Sequence, residues 1–168
     1  DVCSSDLREV LQRMAEQADD EAGDAIYRDP RQAAVAQSAE IPEAMVDFAR
    51  DAMAAALRDP QALQRAMGEY LTEPKANVWF EPGPEGVMLE QVVLDRRTRM
   101  MYDAQHIFIN GESYRAGGKD ATLMRRLANQ RYLSSKDIQR ASDEALELLS
   151  IWCDDGWAHA CSDDTTTP

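Results

Sequence analysis

The sequence predicts an α+β fold, with helices first, a short run of strands in the middle and further helices at the end. Three observations favour this class. Apolar residues recur at helical spacing in three segments of the first 72 residues, at 7–18, 45–57 and 63–71, and again beyond residue 120. Four strand-like segments of three to eight residues lie between residues 87 and 115. Between the last two stands Asn110-Gly111, and Asn-Gly is a favoured pair for a two-residue hairpin turn because both residues accept a positive φ.

Three helices are predicted in the first part of the chain. The first begins at Leu7 and ends before Gly23. The second begins at Pro42, since proline is favoured in the first turn of a helix. The third follows Asp59, the predicted N-cap residue, and ends near residue 72.

Apolar stripes on the second and third helices indicate a dimer interface. The stripes are broad for a segment with so little chain to cover them, and their alanines allow helix axes to approach closely. We therefore expect a homodimer that uses the same patch twice about a two-fold axis. The alternative is that the stripes pack only on one another and on the first helix. The predicted interface residues are Phe48, Ala49, Ala52, Met53, Leu57, Leu63, Met67 and Tyr70.

A linker and a small sheet are predicted next. Residues 73–86 contain three prolines and two glycines, a composition that is typical of a boundary between sub-domains. The segments that follow alternate between apolar runs and turn residues. The predicted strands are Val87–Leu94, Arg99–Tyr102, His106–Ile109 and Ser113–Arg115.

Three more helices are predicted after the sheet. Asp120 is the expected N-cap of the fourth. Ser134 and Asp137 have capping-box spacing and open a short fifth helix. Ser142 caps the sixth, and Gly156 ends it in the left-handed conformation that glycine favours.

Composition and charge exclude several classes of protein. The 168 residues are 44% apolar, and no run approaches the ~18 apolar residues of a membrane span. Three cysteines without a CxxC pair give no disulfide framework, so we expect a cytoplasmic protein. The net charge is −13, and it is concentrated in residues 1–86, which hold 18 acids against 8 bases. Residues 87–160 hold 11 acids against 10 bases.

Candidate catalytic and metal-binding residues are few. A non-haem iron site needs two histidines and a carboxylate. The two histidines, His106 and His159, lie in separate segments, neither begins an H-x-D motif, and neither has an obvious carboxylate partner. Cys153 lies on the apolar face of a predicted helix, where burial would raise its pKa and make it inert. Cys161 has no assigned role. We therefore expect no catalytic residue, metal ligand or cofactor site in this chain.

Two hypotheses account for the hairpin and the helices that follow it: they bind nucleic acid, or they have a structural role. If they bind nucleic acid, they could form a winged helix-turn-helix whose fifth helix is the recognition helix, or reader. Against this, the strands precede the helices, the hairpin tip carries Glu112, and the basic footprint is missing. Gly117-Gly118-Lys119-Asp120 lacks the spacing of a phosphate loop. The side chains that would contact nucleic acid are Arg125, Arg126, Arg131, Lys136, Gln139 and Arg140.

Five stretches of the sequence together resemble one family. They are "YRDP" at 27–30, "IPEAMVDF" at 41–48, "GEYLTEPK" at 68–75, "FINGESYRA" at 108–116 and "LLSIWCDDGWAH" at 148–159, and they stand in family order. With these stretches, the sequence is similar to the C-terminal part of bacterial ribosomal-protein arginine hydroxylases, the cupin-type JmjC ribosomal oxygenases. The resemblance runs from about Leu7 to His159.

The resemblance implies that catalysis and dimerisation belong to different parts of the full-length protein. Members use Fe(II) and 2-oxoglutarate to hydroxylate an arginine of a large-subunit ribosomal protein, and an N-terminal cupin domain carries the iron. A helical dimerisation segment and a winged-helix-like domain follow. No catalytic residue of the cupin has a counterpart here, so the resemblance implies a non-catalytic region. The hairpin at Asn110-Gly111 would then be a structural part of the terminal domain.

Our interpretation is a helical dimerisation segment followed by a small β-meander and a three-helix winged-helix-like domain. Residues 1–6, in "DVCSSDL", match the translation of a sequencing adapter, and we set them aside as an artefact. The expected partners are a second copy, the cupin domain and a large-subunit ribosomal protein. The alternatives are a nucleic-acid-binding regulator and a protein-docking adaptor. The remaining predicted segments are 7–72 for dimerisation, 73–86 as linker, 87–159 as the winged-helix-like domain and 160–168 as a disordered tail.

Overall fold

A computed structural model describes residues 4–22, 39–56, 58–84 and 86–161. The chain divides into two compact units, residues 1–67 and 68–168. The division falls inside the third helix, whereas the sequence indicated a boundary at 73–86. Helices and small antiparallel sheets together confirm the α+β class.

Helices make up the described part of the first unit. Helix α1 spans Ser4–Ala22 and α2 spans Glu43–Ala56, and the two are in contact. Helix α1 begins three residues before the predicted start at Leu7. Helix α3 spans Ala62–Thr72 and crosses the boundary into the second unit. The connection that contains the motif "YRDP" lies outside the described residues.

The carboxylate of Asp59 supports the first turn of α3, in agreement with its predicted capping role. One of its oxygens accepts a hydrogen bond from the backbone N–H of Gln61 at 2.9 Å. The other accepts one from the guanidinium of Arg65 at 2.9 Å. Together these bonds fix the start of α3 relative to the turn before it.

Two three-stranded antiparallel sheets lie in the second unit, not one continuous meander. One has the order β2-β3-β4 and contains the predicted hairpin. The other has the order β5-β1-β6, so β1 pairs with strands far along the chain rather than with its neighbour β2. The sequence missed β5 and β6. The strands are β1 Gln91–Leu94, β2 Met100–Tyr102, β3 His106–Ile109, β4 Glu112–Arg115, β5 Tyr132–Leu133 and β6 Ala158–Cys161.

Three helices complete this unit: α4 Gly118–Gln130, α5 Ser135–Ile138 and α6 Asp143–Asp154. Both sheets and all three helices contribute to one apolar core. The largest of its fully buried side chains are Val92, Ile107, Ile109, Leu127, Leu133, Leu149 and Trp152.

Local capping signals were predicted well for α5 and α6. The Asp137 carboxylate accepts from the backbone N–H of Ser134 at 3.1 Å, which is the reciprocal half of a capping box. The Ser142 hydroxyl accepts from the backbone N–H of Ala145 at 3.1 Å. Gly156 follows α6 with φ = 73°, as predicted.

The prediction for α4 was wrong, since Gly117 rather than Asp120 is its N-cap residue. Asp120 lies within the first turn, and its carboxylate accepts from the hydroxyl of Ser142 at 2.7 Å. It therefore joins the starts of α4 and α6. Two further boundaries also differ. The first strand begins at Gln91 rather than at residue 87, and β6 extends to Cys161, two residues into the segment that was predicted to be disordered.

The proline-rich segment at 73–86 lies on the second unit. The backbone N–H of Gly83 donates to the carbonyl of Asp154 at 3.0 Å. The ring of Phe80 meets that of Trp157 edge-on, with centroids 6.4 Å apart. A Cβ at Gly156 would lie 2.0 Å from the carbonyl oxygen of Glu81, so only glycine fits there. The described residues of this segment are therefore packed, and do not form a free linker.

Candidate functional site

The tip of the hairpin has the geometry that its sequence predicts. Asn110 has φ = 48° and Gly111 has φ = 93°, as a tight turn with two positive-φ residues requires. Asn110 is only 8% exposed, and its side-chain oxygen accepts from the backbone N–H of Arg99 at 3.0 Å. The backbone N–H of Gly111 donates to the hydroxyl of Thr72, at the end of α3, at 3.1 Å.

The rest of the hairpin also packs against the C-terminal half of α3. The hydroxyl of Ser113 donates to the carboxylate of Glu69 at 2.6 Å. A Cβ at Gly68 would lie 2.5 Å from the ring of Phe108, so the strand and the helix are in close contact. The hairpin is thus held against α3 by hydrogen bonds at its tip and on its second strand.

The arginines of the predicted reader surface are mostly engaged within the fold. Arg125 donates to the carbonyl of Ala104 at 2.8 Å and lies over the ring of Tyr102. Arg131 donates to the carbonyl of Thr98 at 3.1 Å. Arginines that hold backbone carbonyls have fewer donors left for phosphates.

Helix α5, the predicted reader, is a single turn of four residues. Lys136, Gln139 and Arg140 are exposed on or just beyond it. Asp137 lies among them and pairs with Arg126. The hydroxyl of Ser134 hydrogen-bonds to the carboxylate of Asp137 and lowers its pKa, so that carboxylate is ionised at neutral pH. This surface is therefore of mixed charge, and it lacks the concentrated positive field that phosphate backbones require.

The apolar face of α2 is the main exposed hydrophobic feature of the first unit. None of the α2 side chains that the structure describes is buried, and Ala49 alone among them is half-buried. Met53 is 66% exposed, Phe48 is 38% exposed, and Leu63 on α3 is 51% exposed. An amphipathic helix normally buries its apolar stripe.

The remaining predicted interface residues differ in exposure. Ala52 is exposed, whereas Met67 and Tyr70 are half-buried on α3. Leu57 lies outside the described residues. Met53 is thus largely exposed and Phe48 partly so, and both the dimer interface and the alternative, in which the stripes pack on one another and on α1, stay predictions.

Each histidine has a carboxylate neighbour, contrary to the expectation from sequence. The ring of His106 lies 3.4 Å from the carboxylate of Asp103, and the ring of His159 lies 3.1 Å from that of Asp95. The two pairs belong to different sheets. Among the described residues, no group of three or more His, Cys, Asp or Glu side chains could hold a metal ion. This part of the chain therefore does not fit an Fe(II) site of the two-histidine, one-carboxylate type.

Cys153 lies on the buried face of α6, as its position on the apolar face predicts. Burial raises the pKa of its thiol to about 11, and the nearby carboxylate of Asp154 adds to the shift. A thiol with this pKa carries almost no thiolate at neutral pH, so Cys153 is a poor nucleophile. Cys161 is half-buried in β6.

A family model for the ROXA-like winged helix matches residues 55–159 of this chain. The chain belongs to the ROXA-like winged helix family. The match covers the second unit up to β6 together with α3, and it confirms the resemblance to ribosomal oxygenases that the five sequence stretches indicated. No curated protein sequence matches the chain. None of the helices that the structure describes is long and apolar enough to span a membrane.

Solved structures with the same fold include several from Escherichia coli. A crystal structure of the ribosomal oxygenase YcfD aligns with a TM-score of 0.70 at 18% identity, over 92% of this chain and 46% of that chain. The YcfD complex with cobalt and 2-oxoglutarate aligns with a TM-score of 0.68 at 19% identity, over 90% of this chain and 45% of that chain. This ROXA-like chain thus spans less than half the length of the YcfD chains, and the likeness establishes its fold.

Proposed function

We propose that this chain is the non-catalytic C-terminal region of a 2-oxoglutarate- and Fe(II)-dependent arginine hydroxylase that acts on a large-subunit ribosomal protein in the cytoplasm. Its role is to dimerise the enzyme and to position the substrate. The observation that carries the proposal is the ROXA-like winged helix match, together with a fold that covers less than half of the ribosomal oxygenase YcfD.

Catalysis would belong to a cupin domain of the same protein, outside this chain. The YcfD structures include complexes with cobalt and either succinic acid or 2-oxoglutarate. Fe(II) and 2-oxoglutarate are accordingly the cofactors we propose for the whole enzyme. The described residues of this chain lack a ligand set for the metal, so we assign none of them to it.

Dimerisation through α2 and α3 is supported by the exposure of the α2 stripe. A two-fold axis would bring the stripe of one protomer against that of its partner and cover Met53 and Phe48 together. Ala49 and Ala52 would allow the helix axes to approach closely. A stable interface of this kind buries about 2,000 Å² or more.

Substrate positioning is supported by charge. The chain has a net charge of −13, and such a field attracts basic segments and repels acidic ones. A segment of a ribosomal protein that presents an arginine for hydroxylation has the matching sign. Association should therefore weaken as salt is added, since surface charges are screened over ~10 Å at 0.1 M ionic strength.

Charged substitutions on α2 test the dimer. Ala52→Glu and Phe48→Asp should convert the dimer into a monomer, because an unpaired buried charge costs several kcal/mol. Ala54→Glu is the matched control, since it makes the same change on the charged face that Asp47 and Asp51 share. Light scattering at micromolar concentration measures the mass. A monomeric parent would contradict the proposed dimer. A dimer that tolerates both substitutions would show that the interface lies elsewhere.

Genomic DNA upstream of codon 7 tests the assignment to a larger enzyme. We expect an open reading frame in phase with this chain that encodes a cupin with an H-x-D motif. A promoter and a start codon at that position would contradict the proposal, whatever the oligomeric state of the chain.

A further inference from the structure

A cleft lies between α4 and the turn after α5, on the surface of the second unit. Its volume is about 250 Å³. Ligand pockets for drug-sized molecules are usually ~300–1,000 Å³, so this cleft suits one small group. Three of its six lining residues are basic and one is acidic. They are Lys119, Thr122, Leu123, Arg126, Asp137 and Arg140.

The charges in this cleft do not balance. Asp137 is paired with Arg126 and also accepts from the hydroxyl of Ser134 at 2.7 Å. The side chains of Lys119 and Arg140 make no hydrogen bond or ion pair with the other residues that the structure describes. The cleft thus holds an excess of two positive charges in a protein with 31 acids and 18 bases.

Two acidic side chains near the starts of α4 and α6, Asp120 and Glu144, line a separate cavity, and Asp120 is hydrogen-bonded to the hydroxyl of Ser142. Neither of them lines the cleft. Lys119 also lies in the first turn of α4, where the positive end of the helix dipole disfavours a cation. An anion in the cleft would offset this unfavourable interaction and the repulsion between the two unpaired cations.

We infer that the α4–α5 cleft binds a phosphate dianion, held by Lys119 and Arg140, either as free phosphate or as the terminal group of a small ester. A phosphate group carries a charge of about −1.5 to −2 at neutral pH, which matches the two unpaired cations better than a carboxylate does. A guanidinium can bind two phosphate oxygens side by side, and an ammonium can bind a third. Leu123 offers an apolar wall to the organic part of an ester.

This inference is independent of dimerisation and of the proposed enzyme, and the winged-helix match does not supply it. The test is an NMR titration of the ¹⁵N-labelled 168-residue chain with methyl phosphate, and in a parallel arm with inorganic phosphate, at constant ionic strength. We expect saturable shifts of the backbone amides of Lys119 to Leu123 and of Arg140. Tighter binding of methyl phosphate would identify an ester as the natural ligand, and equal or weaker binding would identify free phosphate.

The double variant Lys119→Ala/Arg140→Ala should weaken binding at least about tenfold, because a charge-assisted hydrogen bond contributes at least the 1.4 kcal/mol that a factor of ten represents. The control Lys75→Ala/Arg96→Ala removes two exposed cations outside the cleft and should leave binding unchanged. Far-UV circular dichroism establishes that both variants fold. Absence of saturable shifts at about 10 mM ligand, or equal loss in both double variants, would overturn the inference.

Discussion

Thr72 is the residue that holds the hairpin tip against α3, and its hydroxyl can be removed without changing the shape of the side chain. Thr72 is fully buried. Its hydroxyl donates to the carbonyl of Gly68 at 2.8 Å, with the carbonyl of Glu69 also in reach at 3.2 Å, and accepts from the backbone N–H of Gly111 at 3.1 Å. Thr72→Val replaces the hydroxyl with a methyl group of similar size, so the change removes these hydrogen bonds and leaves the packing nearly intact.

The expected loss of stability depends on which hydrogen bonds remain for the backbone groups that the Thr72 hydroxyl contacts. The carbonyl of Gly68 still accepts the helical hydrogen bond from the backbone N–H of residue 72. The N–H of Gly111 loses the acceptor that Thr72 provides. A neutral hydrogen bond contributes ~0.5–1.5 kcal/mol, and a donor left unsatisfied costs ~1–3 kcal/mol. We expect Thr72→Val to lower the free energy of unfolding by about 1–2 kcal/mol.

Urea denaturation measures the change in stability, and hydrogen exchange at the Gly111 amide measures the local effect. Exchange at Gly111 should accelerate in Thr72→Val, because the amide is no longer held. Thr72→Ser is the control. It keeps the hydroxyl, loses about one methyl group worth ~0.8 kcal/mol, and should leave Gly111 protected. If Thr72→Val matches the parent in both stability and Gly111 exchange, the hairpin tip is not held by this side chain.

Three further predictions concern packing, pH and cofactors. Gly68→Ala should destabilise the chain by up to about 2 kcal/mol in urea denaturation, because overpacking against Phe108 costs ~1–3 kcal/mol and helix propensity returns ~1 kcal/mol of it. Gly117→Ala meets nothing within 4 Å and should lose only the preference for glycine over alanine at the N-cap of α4. A hydrogen bond from Arg97 lowers the pKa of Asp95 far below its ordinary value. Its contribution to stability is therefore present above pH ~4 and is lost on further acidification, so Asp95→Asn should lower the melting temperature at pH 7 and have less effect below pH 4. Finally, Fe(II) with 2-oxoglutarate should leave the melting temperature unchanged and yield no succinate, and a raised melting temperature would contradict our reading of the chain as non-catalytic.

Signals that act over a few residues made several elements predictable. Asn110-Gly111 determines its own turn because both residues accept positive φ, and the structure places them in that turn. Ser142 caps α6 and Gly156 follows it as predicted, since each signal acts within one helical turn. The apolar spacing along α2 predicted both the helix and the exposed stripe. What covers that stripe stays a prediction.

Long-range pairing could not be predicted in the same way. Strand β5 has two residues and β6 follows a helix, so neither carries a period long enough to recognise. Both become strands because β1 offers them hydrogen-bonding edges: Val92 lies opposite Leu133 on one side and Ala160 on the other. A single strand does not specify its partner until the chain brings one beside it.

The sequence by itself determined the class of the fold, the order of its helices, the hairpin turn and the family to which the chain belongs. Tertiary structure alone decided how individual polar side chains are used. Asp120 joins α4 to α6 instead of capping α4, because Ser142 is brought within 2.7 Å of its carboxylate. The sequence made Arg125 a candidate for phosphate contact, but its guanidinium instead donates to the carbonyl of Ala104, in the loop after β2, at 2.8 Å. Capping, turns and periodicity depend on neighbours within about four residues, whereas the partner of a long polar side chain depends on which distant backbone the fold brings to it.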